Sequence, residues 1–212
     1  MEFTFCLGVD VSKHELDFSL RCGKDSLFHK EIPNTLTAIK QFFKELKSLS
    51  GFKLDQTLIC LEHTGIYCNH LLGFLVKTKA NIWLESAIKI KRSMGLIRGK
   101  SDKIDAARIA QYAWEKREQA TLWKPKREIV QKLAYLTTLR RSLVESQKQF
   151  KIQLAESKAF MAKAIISESQ RLCDRTMNAM KADLAKVEKA ISQIIKEDEH
   201  LSQIFEIVTS VP

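Results

Sequence analysis

From Lys126 to Val211 the chain contains neither glycine nor proline, and its apolar residues step by four and three. Ile129, Leu133, Leu136, Arg140, Leu143, Gln147, Phe150 and Leu154 form one such register, apolar at six of eight positions. Cys173, Met177, Met180, Leu184, Val187, Ile191, Ile194, Asp198, Leu201, Phe205 and Val208 form a second, apolar at ten of eleven. A period of about 3.5 residues is that of helices packed along a shared seam. A break somewhere in 155–170 turns the stretch into an antiparallel helical hairpin. Its first helix is basic, with nine Lys/Arg against three acids over 124–158; the second is nearly balanced, seven against eight over 159–212. Such a basic face is either solvated or a surface for nucleic acid, and both readings stand.

The preceding residues have a different grammar. Segments 3–9, 15–20 and 27–32 cluster Phe, Val, Leu and Ile between short polar breaks, which predicts a three-stranded antiparallel meander. Thr35 is placed to N-cap a helix whose apolar stripe is Leu36, Ile39, Phe42, Phe43 and Leu46, and Gly51 closes the segment. Thr57–Leu61 is a nearly continuous apolar run, the pattern of a strand buried on both faces. A helix over 69–79 and a strand over 81–84 follow. The order βββ-α-β-α-β is an α/β arrangement, a mixed sheet covered by helices. The segment from Ser86 to Ser101 reads as a flexible basic loop, and a helix is predicted from Asp102 to about Glu118. Trp123-Lys124-Pro125 marks a domain edge, dividing 1–123 from 124–212.

Charge and cysteine usage narrow the partners. A net charge of +10, from 35 Lys+Arg against 25 Asp+Glu, favours an anionic partner such as nucleic acid. The five cysteines are odd in number and lack CxxC spacing, so they read as reduced thiols of a cytoplasmic protein. The N-terminus lacks a basic segment ahead of an apolar stretch, so no secretory signal is read there. No apolar run approaches the ~20 residues of a membrane span.

Four acids stand out by position. Asp10 and Glu62 each close a predicted strand, and Asp102 and Asp105 open a predicted helix three residues apart, on one side. Hard cations such as Mg²⁺ take carboxylate oxygens, and two strand ends and a helix start can converge on such an ion. Each acid also has a plainer reading: Asp102 as an N-cap with Asp105 favoured by the helix dipole, Glu62 as a turn residue. Between Lys77 and Arg108 there are nine basic residues and three acidic ones. Arg92, Arg98, Lys100, Lys103 and Arg108 are the candidates for phosphate contacts. His63 and Tyr67 are weaker candidates: His63 as a ligand or a turn residue, Tyr67 as a base-stacking or a core residue.

Three blocks carry a resemblance: Gly8-Val9-Asp10-Val11-Ser12-Lys13, Glu62-His63-Thr64-Gly65-Ile66-Tyr67, and Lys100-Ser101-Asp102-Lys103-Ile104-Asp105-Ala106 with Ile109-Ala110. In these the chain resembles the DEDD transposases and invertases of simple insertion sequences, the group that includes Piv-like DNA invertases. The resemblance covers residues 3–125 by motif and the coiled coil by layout. It implies a ribonuclease H-like, RuvC-like domain with Asp10, Glu62, Asp102 and Asp105 as an acidic tetrad for Mg²⁺, with Mn²⁺ as the alternative ion. It also implies DNA cleavage and strand transfer, in many members with an element-encoded guide RNA, and pairing into a homodimer or higher oligomer through the coiled coil. In the family a second, serine-bearing domain opens near a Pro-Gly-x-Gly turn, so the end at Ser210-Val211-Pro212 reads as that of a fragment. Two other readings compete. One is a non-catalytic nucleic-acid-binding and dimerisation module. The other is an actin-like or sugar-kinase-like ATPase, against which count seven glycines and no Gly-x-Gly phosphate loop.

Overall fold

The structure, a computed structural model, describes residues 2–93 and 102–210, with the backbone alone at 102 and 103. Two compact units divide the chain, Met1–Pro125 and Lys126–Pro212.

The first unit is built on strands β1 (Phe5–Val11), β2 (Glu15–Cys22), β3 (Asp25–Pro33), β4 (Thr57–Glu62) and β5 (Asn81–Glu85). Their order in the sheet is β3-β2-β1-β4-β5. β1 runs antiparallel to β2 and parallel to β4, and β4 runs parallel to β5. An antiparallel meander extended by two parallel crossover strands is the ribonuclease H-like arrangement. Asp10 lies inside β1 rather than beyond its end, paired in register with Asp17 of β2.

Side chains alternate across the sheet and so divide two cores. On one face Leu7, Val9, Phe18, Ile59, Leu61 and Ile82 pack against helices α1 (Leu36–Lys47) and α2 (Asn69–Lys77). Thr35 caps α1, its Oγ1 accepting from Ala38 N at 3.3 Å. The buried stripe of α1 is Ile39, Phe42, Phe43 and Leu46, whereas Leu36 is exposed. Phe42 stacks on Phe18 at 4.1 Å between centroids, and Phe43 meets Phe18 edge-on at 6.2 Å. Each such buried ring stabilises the fold by on the order of 1.5–3 kcal/mol. On the other face Cys6, Leu58, Cys60 and Trp83 pack against Ile109, Tyr112 and Ala113 of helix α4 (Asp102–Lys116).

The basic segment after β5 departs from the expected loop. Ala87–Ser93 forms a short helix, α3, anchored by the buried Ile90 and capped through Ser93 Oγ donating to Ile90 O. Apolar Ile90 has the Trp83–Tyr112 core to dock on, which converts a basic stretch into helix.

In the second unit, α5 (Glu128–Phe160) and α6 (Lys163–Glu197) form an antiparallel hairpin that turns at Met161 and Ala162. Of the predicted seam positions, Ile129, Leu133, Leu136, Leu143, Gln147, Phe150 and Leu154 are covered, and Arg140 is exposed, its guanidinium paired with Glu188 of α6 at 2.9 Å. The second register does not run through as one helix. It breaks at Asp198, whose carboxylate caps α7 (Glu199–Thr209) by accepting from Leu201 N at 2.9 Å. Arg127 donates to both oxygens of the same carboxylate at 2.7 and 3.1 Å and holds it below the usual carboxylate range. A polar residue at a seam position thus becomes a cap and a clasp.

All five cysteines are free thiols; Cys6, Cys60 and Cys68 are buried, and Cys22 and Cys173 are half-buried. Burial pushes Cys6 up to about 12 from an ordinary 9.0 and raises Cys60 as well. Native protein is therefore expected to be alkylated at Cys22 and Cys173 well before the three buried thiols, read by mass spectrometry of labelled peptides. The unfolded chain loses those thiol protons from about pH 9 upward while the native state keeps them. Stability is thus present below about pH 9 and declines toward pH 12, and urea midpoints that held or rose across that window would contradict the assignment.

Candidate active site

Gly8 sets how α4 meets the sheet. A Cβ built there would lie 2.2 Å from Ala110 N and 2.4 Å from Ala106 O, so the helix backbone rests directly on the strand backbone. Only glycine permits this approach. Asp102 stands one turn before Ala106, so the first turn of α4 lies beyond Gly8, toward the strand ends. At the other end of the helix, Trp114 is level with the β2–β3 turn at Gly23.

Register then lines up carboxylates on that same face. Val9 is paired with Leu61, so Asp10 and Glu62 are the next neighbours on two parallel strands. Asp10 pairs with Asp17, and Glu62 with Glu85. Alternation puts Asp10 on the face of Gly8, Glu62 on the face of Cys60, and Glu85 on the face of Trp83, all toward α4. The result is a row, Asp17–Asp10–Glu62–Glu85, crossing β2, β1, β4 and β5.

The outer two members are buried and committed. Asp17 Oδ1 lies 2.7 Å from His29 Nε2 of β3. Glu85 accepts from Ser86 N at 2.7 Å, from Tyr112 Oη at 3.1 Å and from Lys89 Nζ at 3.3 Å. A buried carboxylate needs such partners, because desolvation without them is costly. Tyr112 feels the pair in return: burial first, then the neighbouring Glu85 charge, push its hydroxyl up to about 12. The inner two, Asp10 and Glu62, are half-buried. Asp10 Oδ1 accepts from Val11 N at 3.0 Å, which fixes the carboxylate against its own strand.

The remaining predicted residues fall as follows. Asp105 is half-buried on α4 and accepts from Arg108 Nη1 at 2.8 Å. That guanidinium, read from sequence as a phosphate contact, is thus engaged with the Asp105 carboxylate. Asp102 opens α4, and its side chain and that of Lys103 lie outside the described residues, as do Arg98 and Lys100 entirely. Arg92 is exposed on the last turn of α3. His63 Nδ1 accepts from Gly65 N at 3.3 Å, a turn role, and Gly65 takes the positive φ of 70° that this turn requires. Tyr67 and Ile66 are exposed beside the end of β4, not in the core. Among the described residues, no group of three or more His, Cys, Asp or Glu side chains is gathered closely enough to hold a metal ion. The donor set nevertheless has the right chemistry for a hard cation, since every member is a carboxylate.

Sequence reading missed Asp17, His29 and Glu85. Glu85 carries the signal that picked out Glu62, an acid closing an apolar run. Asp17 had none, because its importance comes from pairing with Asp10.

The mixed five-stranded sheet under one crossing helix defines the class as ribonuclease H-like. A family model described as a transposase, of the DEDD type, matches residues 7–159. The chain belongs to the DEDD transposase family. No curated protein matches it in sequence. Among solved structures it is similar to a T. thermophilus RuvC in complex with Holliday junction substrate, at 11% identity and TM-score 0.42, over 57% of this chain and 99% of that one. A second Thermus thermophilus RuvC structure matches at 10% identity and TM-score 0.41, over 56% and 98%. No helix among the described residues is long and apolar enough to cross a membrane.

Replacing Gly8 by alanine is expected to force α4 off the sheet. The clash is backbone on backbone and no rotamer relieves it, so the loss should reach or exceed the ~1–3 kcal/mol typical of overpacking. Denaturant midpoints of Gly8→Ala against wild type check this; a change within a few tenths of a kcal/mol would show that α4 is free to shift.

Proposed function

We propose that this transposase cuts and joins phosphodiesters at a divalent-metal site held by Asp10, Glu62, Asp102 and Asp105. The observation that carries this reading is the register of β1 and β4, which makes Asp10 and Glu62 neighbours on the face crossed by α4, the helix that Asp102 opens. A divalent ion, Mg²⁺ or Mn²⁺, supplies Lewis-acid stabilisation of the charge that develops on the phosphodiester oxygens. The chain's own part is to fix and orient. β1 and β4 hold two carboxylates on rigid strands, and α4 brings two more on a helix whose depth Gly8 sets. Arg108 engages Asp105 and orients it. Arg92, Arg98, Lys100 and Lys103 supply positive charge for the nucleic-acid backbone arriving at the strand ends. The basic α5 offers a polyanion surface, for DNA or for the element-encoded guide RNA that the family resemblance implies. Pairing of two copies through the coiled coil belongs to the same proposal.

The basic α5 also favours the second reading, a module that binds nucleic acid and dimerises without cleaving. The two are separated by Asp10→Ala and Asp102→Ala. In the transposase assayed on its element DNA, each is expected to reduce cleavage by more than the ~10–100-fold typical of residues that only support metal ligands. Circular dichroism and DNA affinity should stay near wild type. Cleavage at the wild-type rate by either variant would overturn the metal-site reading and leave the binding module.

A further inference from the structure

We propose that Asn34 is a positioning residue for this site, fixing the loop that leaves Asp10 against the loop that leaves Glu62. The inference rests on the reading of Asp10 and Glu62 as metal-binding carboxylates.

The two strands stop supporting each other where the acids begin. The β1–β4 ladder ends at the pair Val9–Leu61, one residue before Asp10 and Glu62. The chain then departs in two loops. One, at 12–14, turns back into β2; the other, at 63–68, leads into α2. Asn34 lies between them, directly after β3 ends at Pro33. Its Nδ2 donates to Ser12 O at 2.9 Å and to Tyr67 O at 3.0 Å, and its backbone N donates to His14 O at 2.8 Å. One side chain therefore joins the residue two after Asp10 to the residue five after Glu62.

Both side-chain partners are carbonyl oxygens, so the amide nitrogen must face them; the orientation is set by its partners. The other end of the amide is left wanting. Asn34 Oδ1 is buried and has no hydrogen-bond partner among the described residues. A buried acceptor without a donor opposes folding, and native structures keep such groups where another requirement holds them. Here the requirement is two donors on one planar group, spaced to meet two carbonyls.

What Asn34 joins is closed by hydrogen bonds of its own, and so is its seat. Ser12 Oγ accepts from Glu15 N at 2.9 Å and donates to Glu15 O at 3.0 Å, closing the first loop. In the second, Thr64 Oγ1 lies 3.2 Å from Cys68 Sγ, and His63 closes on Gly65. The adjoining Thr35 caps α1, so Asn34 sits between the end of a strand and the start of a capped helix. A bridge between two hydrogen-bonded loops ties the ends of the two strands together, and carboxylate separation determines how well a hard cation is held.

The test uses Asn34→Asp, nearly the same shape without either donor, with Asn34→Ala beside it. The first readout needs no activity: Mn²⁺ affinity of the protein by electron paramagnetic resonance, with amide hydrogen exchange of residues 12–15 and 63–68. Both variants are expected to weaken Mn²⁺ binding by about 10–100-fold, the range for residues supporting metal ligands. Exchange should quicken in both loops and stay unchanged in β1 and β4. In the cleavage assay the Mg²⁺ concentration giving half-maximal rate should rise in parallel, with DNA affinity within about twofold of wild type. The proposal is overturned by wild-type Mn²⁺ affinity and Mg²⁺ dependence well below each variant's Tm, even if Tm itself has fallen. If Asn34→Asp does not fold, Asn34→Ala and Asn34→Ser, which keeps one donor, decide by the same readouts. Asp10→Ala run alongside separates the failures. If it cleaves normally the metal-site reading is wrong; if it is inactive while the Asn34 variants match wild type, only the positioning role is wrong.

Discussion

Everything at the candidate site depends on two backbones touching at Gly8. Where a strand normally presents a side chain, β1 presents none, and Ala106 and Ala110 of α4 fill the gap. Two small residues on the helix and none on the strand bring the elements closer than side-chain packing permits. The Trp83–Tyr112 contact, at 5.2 Å between centroids, and the Tyr112–Glu85 hydrogen bond hold the helix on the β5 side. The first turn of α4 is thereby held at a set depth beyond Gly8, and that turn begins with Asp102.

The carboxylate row shows how a sheet can crowd acids without repelling itself apart. Like charges opposite one another on paired strands destabilise unless something compensates. At the edges the compensation is built in: His29 against Asp17, and Tyr112, Lys89 and an amide N–H against Glu85. In the centre, Asp10 and Glu62 are less buried and retain access to water. The outer acids are thus buried among their partners, and the inner pair is half-buried. Asn34 belongs to the same region, since its donors brace the backbone that follows the inner pair.

Much of this was legible from the chain alone. The α1 stripe of Ile39, Phe42, Phe43 and Leu46, the buried β4 and the meander follow from apolar periodicity, and the seam of the α5–α6 hairpin from its heptads. The tetrad candidates are read from position: Asp10 and Glu62 as acids closing apolar runs, Asp102 and Asp105 as a pair three apart at a helix start. The basic segment at 87–93 was misread because Ile90 looks like one apolar residue among cations until a core stands beneath it. Asp198 is the one polar position of the second register; its cap on α7 is local, through Leu201 N, whereas its clasp comes from Arg127, 71 positions away. Leu36 belongs to the helical stripe by spacing but lies on the exposed side of the first turn.

The sequence by itself determined the five strands, the helices α1, α2 and α4, and the α5–α6 hairpin, because periodicity, capping and composition are local properties. It determined the family as well, through three short blocks around Asp10, Glu62 and Asp102–Asp105. Only the tertiary structure decided which acids stand together. Strand register put Asp17 beside Asp10 and Glu85 beside Glu62, and the fold sorted the row into buried outer and half-buried inner members. Only it could show that Asn34, between a proline and a helix cap, bridges loops that begin at Ser12 and end at Tyr67. Those relations arise from hydrogen bonds between segments distant in sequence, and no local pattern encodes them.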